Sequence, residues 1–146
     1  MSKQKIFITQ TFNAPVSKVF AQLTDHESFG RLLKANIKRV TDSRGENKNG
    51  VGSVRRISAF PAPAFEETVT AFDPDRFMEY KISKGSPLKN HLGQMRFSDA
   101  GGRTTLDYSI EFEPRLPIPL LGALLKFAVE KPISAGLKRL AKSYLN

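Results

Sequence analysis

The stretch Pro119–Leu145 reads PLLGALLKFAVEKPISAGLKRLAKSYL. From Leu120 to Val129 it is apolar almost all round, whereas past Pro132 the residues Ile133, Leu137, Leu140 and Tyr144 fall on one stripe and Lys131, Ser134, Lys138 and Lys142 face away. Pro132 removes one backbone hydrogen bond and is expected to kink this helix or split it in two. A helix half that is apolar on every side has to be covered by protein, lipid or ligand. What precedes it therefore decides the fold.

Three prolines in EPRLPIP separate the helix from a long region of period-two alternation. Strands are expected near 37–43, 51–60, 65–73, 76–84, 89–98 and 103–113, divided by SRGENKNG, PAPA, DPDR, KGSPL and DAGGR. Each break supplies the Gly, Pro, Asp or Asn that a chain reversal needs. Earlier still, Lys3–Phe12 alternates as a strand and Asn13-Ala14-Pro15 ends it. Val16, Val19, Phe20 and Leu23 then mark a short amphipathic helix with Pro15 at its start, and Phe29, Leu32 and Leu33 mark a second helix that Gly30 weakens. The order is strand, two short helices, six strands, one long helix.

The composition bounds what such a chain does. Its 146 residues fit one domain, 1–146, with 40% hydrophobic and 25% charged residues. The absence of cysteine excludes disulfides and thiolate zinc sites, and two histidines, His26 and His91, are too few for a histidine metal cluster. No cofactor motif is present, so no cofactor is expected. The N-terminus has no apolar run of signal-peptide length and no stretch reaches the ~20 residues of a membrane span, which points to a cytoplasmic protein. Lys and Arg number 23 against 14 acidic residues, a formal charge of +9. Apart from VRRI and LKRLAKSYL these charges are scattered, and the expectation is a solvated basic surface without specific nucleic-acid binding. The basic second half of the last helix also suits transient contact with anionic membrane.

An antiparallel meander of this length curls as it twists, and one helix cannot fill its concave side. The strand phase then names the inward side chains: Met78, Tyr80 and Ile82; Leu106, Tyr108, Ile110 and Phe112; His91, Gly93, Met95 and Phe97; Arg55 with Ile57 and Ala59; Glu67 with Phe65, Val69 and Ala71. Arg55, Glu67, Tyr80, His91 and Tyr108 thus enter an apolar shell, the composition of a ligand pocket. Arg55 and Glu67 satisfy each other as diagonal neighbours, contact a ligand, or do both. His91 is a satisfied pocket histidine or a proton shuttle, and His26 is expected at the surface or as a helix cap.

The segments FNAPVSKVFAQLTD, NGVGSVRRI, FEETVTAFDPDRFMEYKIS and NHLGQMRFSDAGGRTTLDYSIEFEP, together with the last helix, resemble the helix-grip superfamily. That superfamily groups START lipid-transfer domains, birch-pollen-allergen-like proteins and polyketide cyclases, and the likeness is greatest to its bacterial polyketide cyclase/dehydrase and lipid transport branch. The resemblance implies an α+β fold in which a curved seven-stranded antiparallel sheet wraps around the C-terminal helix, with two short helices after the first strand. It also implies a cavity for a small hydrophobic ligand such as a lipid, isoprenoid or polyketide-like molecule. The expected contacts are Arg55, Glu67, Met78, Tyr80, His91, Met95, Tyr108, Leu124 and Phe127. The alternative is a cyclase or dehydratase acting on an apolar carbonyl compound, with His91 or Glu67 as base and Arg55 or Tyr80 steadying an oxyanion.

Overall fold

A computed structural model of the chain describes residues 3–58 and 63–145. The elements are β1 (Gln4–Phe12), α1 (Val16–Thr24), α2 (His26–Leu33), β2 (Asn36–Thr41), β3 (Val54–Ser58), β4 (Phe65–Asp73), β5 (Phe77–Lys84), β6 (Leu88–Ala100), β7 (Arg103–Pro114) and α3 (Leu121–Ser143). All strands join one curved antiparallel sheet in the order β1-β7-β6-β5-β4-β3-β2. Consecutive strands are neighbours except for β1 and β2, which form opposite edges. The α1 and α2 helices carry the chain from one edge to the other. This is the α+β helix-grip architecture.

The core lies between the concave face and the helices. Ile6 and Phe12 of β1, Val19, Phe20 and Leu23 of α1, and Leu106, Tyr108, Ile110 and Phe112 of β7 are all buried in it. Each fully buried aliphatic or aromatic side chain contributes about 1.5–3 kcal/mol, so these alternating positions fix which face turns inward. The β6–β7 hairpin closes on Gly101 and Gly102, both at positive φ (61° and 84°), a conformation that favours glycine.

Two sequence expectations need correction. The third strand begins at Val54 rather than residue 51, because Gly52 takes φ +88° and the Ser53 N–H donates to the Gly50 carbonyl in a turn. Residues 59 and 60, also assigned to that strand, and half of the PAPA turn lie outside the described residues. On β4 the register shifts between Val69 and Ala71, so that Ala71 pairs with outward Glu79 and Phe72 pairs with inward Met78. Phe72 then packs edge-on against Phe20, with centroids 5.2 Å apart. At Pro132, where the sequence predicts a kink or a split, α3 does not split but continues as one helix.

The rotation of α3 is set by two glycines. A Cβ at Gly122 would stand 2.7 Å from the Gln4 side-chain nitrogen, and one at Gly136 would stand 2.9 Å from the Leu32 carbonyl. These positions therefore face inward, and Leu125, Val129, Ile133, Leu137 and Leu140 follow them at steps of three and four.

Candidate functional site

Between α2, α3 and the strands β2 to β7 lies a cavity of about 400 Å³. Its apolar walls include Phe29, Ile37, Ile57, Phe65, Ile82, Leu125, Val129 and Ile133, and its rim includes Pro63, Ser86 and Pro87. Besides Ser86, the strands bring four polar side chains to it: Arg55, Glu67, Tyr80 and His91.

Arg55 and Glu67 are direct cross-strand partners, not diagonal ones, because β3 and β4 pair without an offset there. Arg55 Nε donates to Glu67 Oε1 at 2.8 Å, with both residues buried. The guanidinium carbon stands 4.5 Å from the Tyr80 ring centre and 5.1 Å from that of Phe29. Burial opposes the charge on Arg55. The Glu67 carboxylate, together with Tyr80 and Tyr108, outweighs it and holds the arginine pKa above its ordinary value. Among the described residues the two terminal amino groups of Arg55 make no hydrogen bond of their own.

His91 accepts the backbone N–H of Ile82 on Nδ1 at 3.1 Å. Burial lowers its pKa, so the ring is neutral at neutral pH and its proton must sit on Nε2. That nitrogen stands 3.9 Å from Glu67 Oε2, too far for a hydrogen bond. His91 thus presents a donor, with its lone pair already occupied.

The two tyrosines meet across a strand. Tyr80 on β5 is opposite Gly93 on β6, and Gly93 is opposite Ile110 on β7. A Cβ at Gly93 would lie 2.3 Å from the Tyr80 ring carbon that carries the hydroxyl. The missing side chain lets the Tyr80 ring lean over β6 until its hydroxyl bonds that of Tyr108. Burial raises the pKa of both phenols, so both stay protonated.

The structure sorts the nine expected contacts into three groups. Arg55, Glu67, Tyr80 and His91 line the cavity. Tyr108, Met78 and Met95 are buried in the core behind that wall, and Tyr108 is linked to it through Tyr80. Leu124 and Phe127 are corrected: they are 64% and 61% exposed on the outer side of α3, and Leu125, Ala128 and Val129 take the inner positions. His26 is also corrected. It is fully buried, its Nε2 bonds Ser53 Oγ at 2.9 Å, its backbone N–H donates to Asn49 Oδ1, and Asp25 is the cap of α2 instead. Burial, then the charges of Arg55 and Arg39, push the His26 pKa down to about 3.

Residues 3–144 match the family described as polyketide cyclase / dehydrase and lipid transport, and the chain belongs to that family, within the helix-grip superfamily. No curated protein matches the chain. Among solved structures it is similar to a START superfamily protein from Mycobacterium smegmatis, with 12% identity, a TM-score of 0.78, and 95% of this chain and 97% of that one covered. It is similar to the protein XoxI from Bacillus cereus at 16% identity and TM-score 0.70, covering 97% and 96%. It is also similar to norcoclaurine synthase from Thalictrum flavum, in a structure with dopamine and hydroxybenzaldehyde, at 12% identity and TM-score 0.67, covering 98% and 88%. At these identities the likeness is one of fold.

Proposed function

We propose that this protein binds a small hydrophobic molecule in the cavity between the sheet and α3 and carries it. The observation that supports this most directly is the cavity itself, about 400 Å³ of mainly apolar wall with four polar side chains gathered on strands β3 to β6. At about 30 Å³ per water-sized group it has room for roughly a dozen non-hydrogen atoms, and more if the open rim is used. A cyclase or dehydratase would need a base at the same place. His91 is poorly set for that role, since its lone pair is taken by Ile82 and protonation is disfavoured by burial.

The partner surface for loading is proposed to be an anionic bilayer. Leu116, Ile118, Leu120, Leu124 and Phe127 are all exposed along the segment that enters α3, and the opposite side of the same helix turn lines the cavity. Lys131 lies over the Phe127 ring, at 5.3 Å. Exposed apolar groups beside basic ones suit a membrane interface. Among the described residues no helix is long and apolar enough to cross a membrane, so the contact would be peripheral.

The test is native mass spectrometry of the freshly purified protein, with chemical identification of whatever it releases on extraction. A stoichiometric apolar compound is the expected result. Protein that is consistently empty, and that takes up no apolar probe, would refute the carrier reading.

A further inference from the structure

We infer that the polar end of the cavity is a hydrogen-bond donor site, built for an uncharged molecule that presents an acceptor oxygen and selective against carboxylates. This rests on the carrier reading and adds the chemistry of the head group.

The donor inventory follows from the bonds already made. The Ile82 N–H occupies Nδ1 of His91, so neutral His91 offers only Nε2–H to the cavity. Arg55 spends Nε on Glu67 and keeps its terminal N–H groups. Tyr80 and Tyr108 share one hydrogen bond between two hydroxyls, which leaves one phenolic proton over. His91 and Arg55 therefore bring spare donors to one end of an apolar chamber, and Glu67 is the sole ionised acceptor among the polar residues that line it. A carbonyl oxygen with its two lone pairs satisfies two such donors and costs little to desolvate.

The charge balance argues against an anion. Arg55 is neutralised by Glu67 at 2.8 Å, and His91 is uncharged, so the buried set has no net positive charge. A second carboxylate placed there would sit close to Glu67 with no counter-ion of its own, and burying an uncompensated charge is far more costly than burying a carbonyl.

Three ligands of one skeleton test this: benzylacetone, isopentylbenzene and hydrocinnamate, which differ only in the two atoms at their branched end. An apolar chamber without donors binds the hydrocarbon tightest, because nothing repays the desolvation of the carbonyl. The expected result, by calorimetric or NMR titration near neutral pH, is that benzylacetone binds at least as tightly as isopentylbenzene and at least about tenfold more tightly than hydrocinnamate. His91→Phe, which keeps a ring and removes the donor, is expected to lower the ketone-to-hydrocarbon affinity ratio roughly 3- to 10-fold. Nitrogen NMR of the wild-type His91 ring gives a second reading that needs no variant: the proton is expected on Nε2 before and after ketone binding. Hydrocinnamate binding tightest, the hydrocarbon winning by tenfold or more, or a ring protonated on Nδ1 would each overturn the inference while leaving the carrier reading in place. Failure of all three ligands to bind would overturn both.

Discussion

Arg55 and Glu67 face each other across β3 and β4 and bond at 2.8 Å inside the cavity wall. Removing one partner leaves the other charge buried and alone, which typically costs about 3–5 kcal/mol, whereas replacing both with apolar groups of similar volume is often neutral. Glu67→Leu is therefore expected to lower stability by about that amount, and Arg55→Met combined with Glu67→Leu to recover most of it. Urea denaturation of the wild type, the single and the double variant measures this. A double variant no more stable than the single one would mean that the two charges are not balancing each other. The recovered double variant is also expected to lose its ligand preference, which separates the pair's role in recognition from its role in folding.

Gly93 permits the approach of Tyr80 to Tyr108. Adding a single methyl group there meets the Tyr80 ring at 2.3–2.7 Å, so Gly93→Ala must push the ring aside and break the hydroxyl pair. Overpacking of this kind costs about 1–3 kcal/mol, and a broken buried hydrogen bond adds about 1 kcal/mol. Gly93→Ala combined with Tyr80→Leu is expected to be more stable than Gly93→Ala alone. Equal stability of Gly93→Ala and wild type in thermal melts would refute this account of the glycine.

His26 gives stability a pH dependence of known sign. Its folded pKa of about 3 is below the ordinary 6.5, so below pH 6.5 the unfolded chain takes up a proton that the folded chain refuses. Stability is then fully present above about 6.5 and declines as pH falls toward 3, by at most about 1.4 kcal/mol per pH unit for one proton. His91, also lowered by burial, acts in the same direction. Between pH 6.5 and about 5 carboxylates contribute little, and there His26→Gln is expected to flatten the slope measurably. An unchanged slope would show that His26 does not titrate on unfolding.

The order of elements is legible because the longer strands, β7 above all, repeat apolar residues at every second position against one shared core, and turn residues punctuate each reversal. The inward direction of Arg55, Glu67, Tyr80 and His91 followed from the same alternation. Ala71 departed from it because a bulge inserts one residue between Val69 and Ala71, and no residue type there announces a bulge. The burial of His26 escaped because its partner, Ser53, is 27 residues further on and reaches it only through the fold. A helix half apolar on every side gives no phase of its own, which is why Leu124 and Phe127 read as inward from the sequence. Yet the phase was readable: stepping back in threes and fours from Leu140, through Gly136, Ile133 and Val129, arrives at Leu125 and Gly122, and leaves Leu124 and Phe127 outside.

That outward placement leads to the last prediction. Leu120, 84% exposed at φ 66°, opens a strip that continues through Leu124 and Phe127, and hydration of such a strip is unfavourable unless a partner covers it. Lys126 and Lys131 lie within the same turns, and each basic group near an anionic surface contributes about 1 kcal/mol. Co-sedimentation is expected with vesicles containing phosphatidylserine, to weaken as salt rises, and to be much poorer with phosphatidylcholine alone. Leu124→Glu combined with Phe127→Glu removes apolar area and adds two negative charges on the outer side of α3, away from the cavity. Vesicle binding should fall by at least about tenfold, with the ligand titrations of the cavity unaltered, since Leu125 and Val129 still form its wall. Undiminished vesicle binding by that variant would assign the membrane contact to another surface. A loss of ligand affinity in solution would instead mean that the strip helps close the cavity.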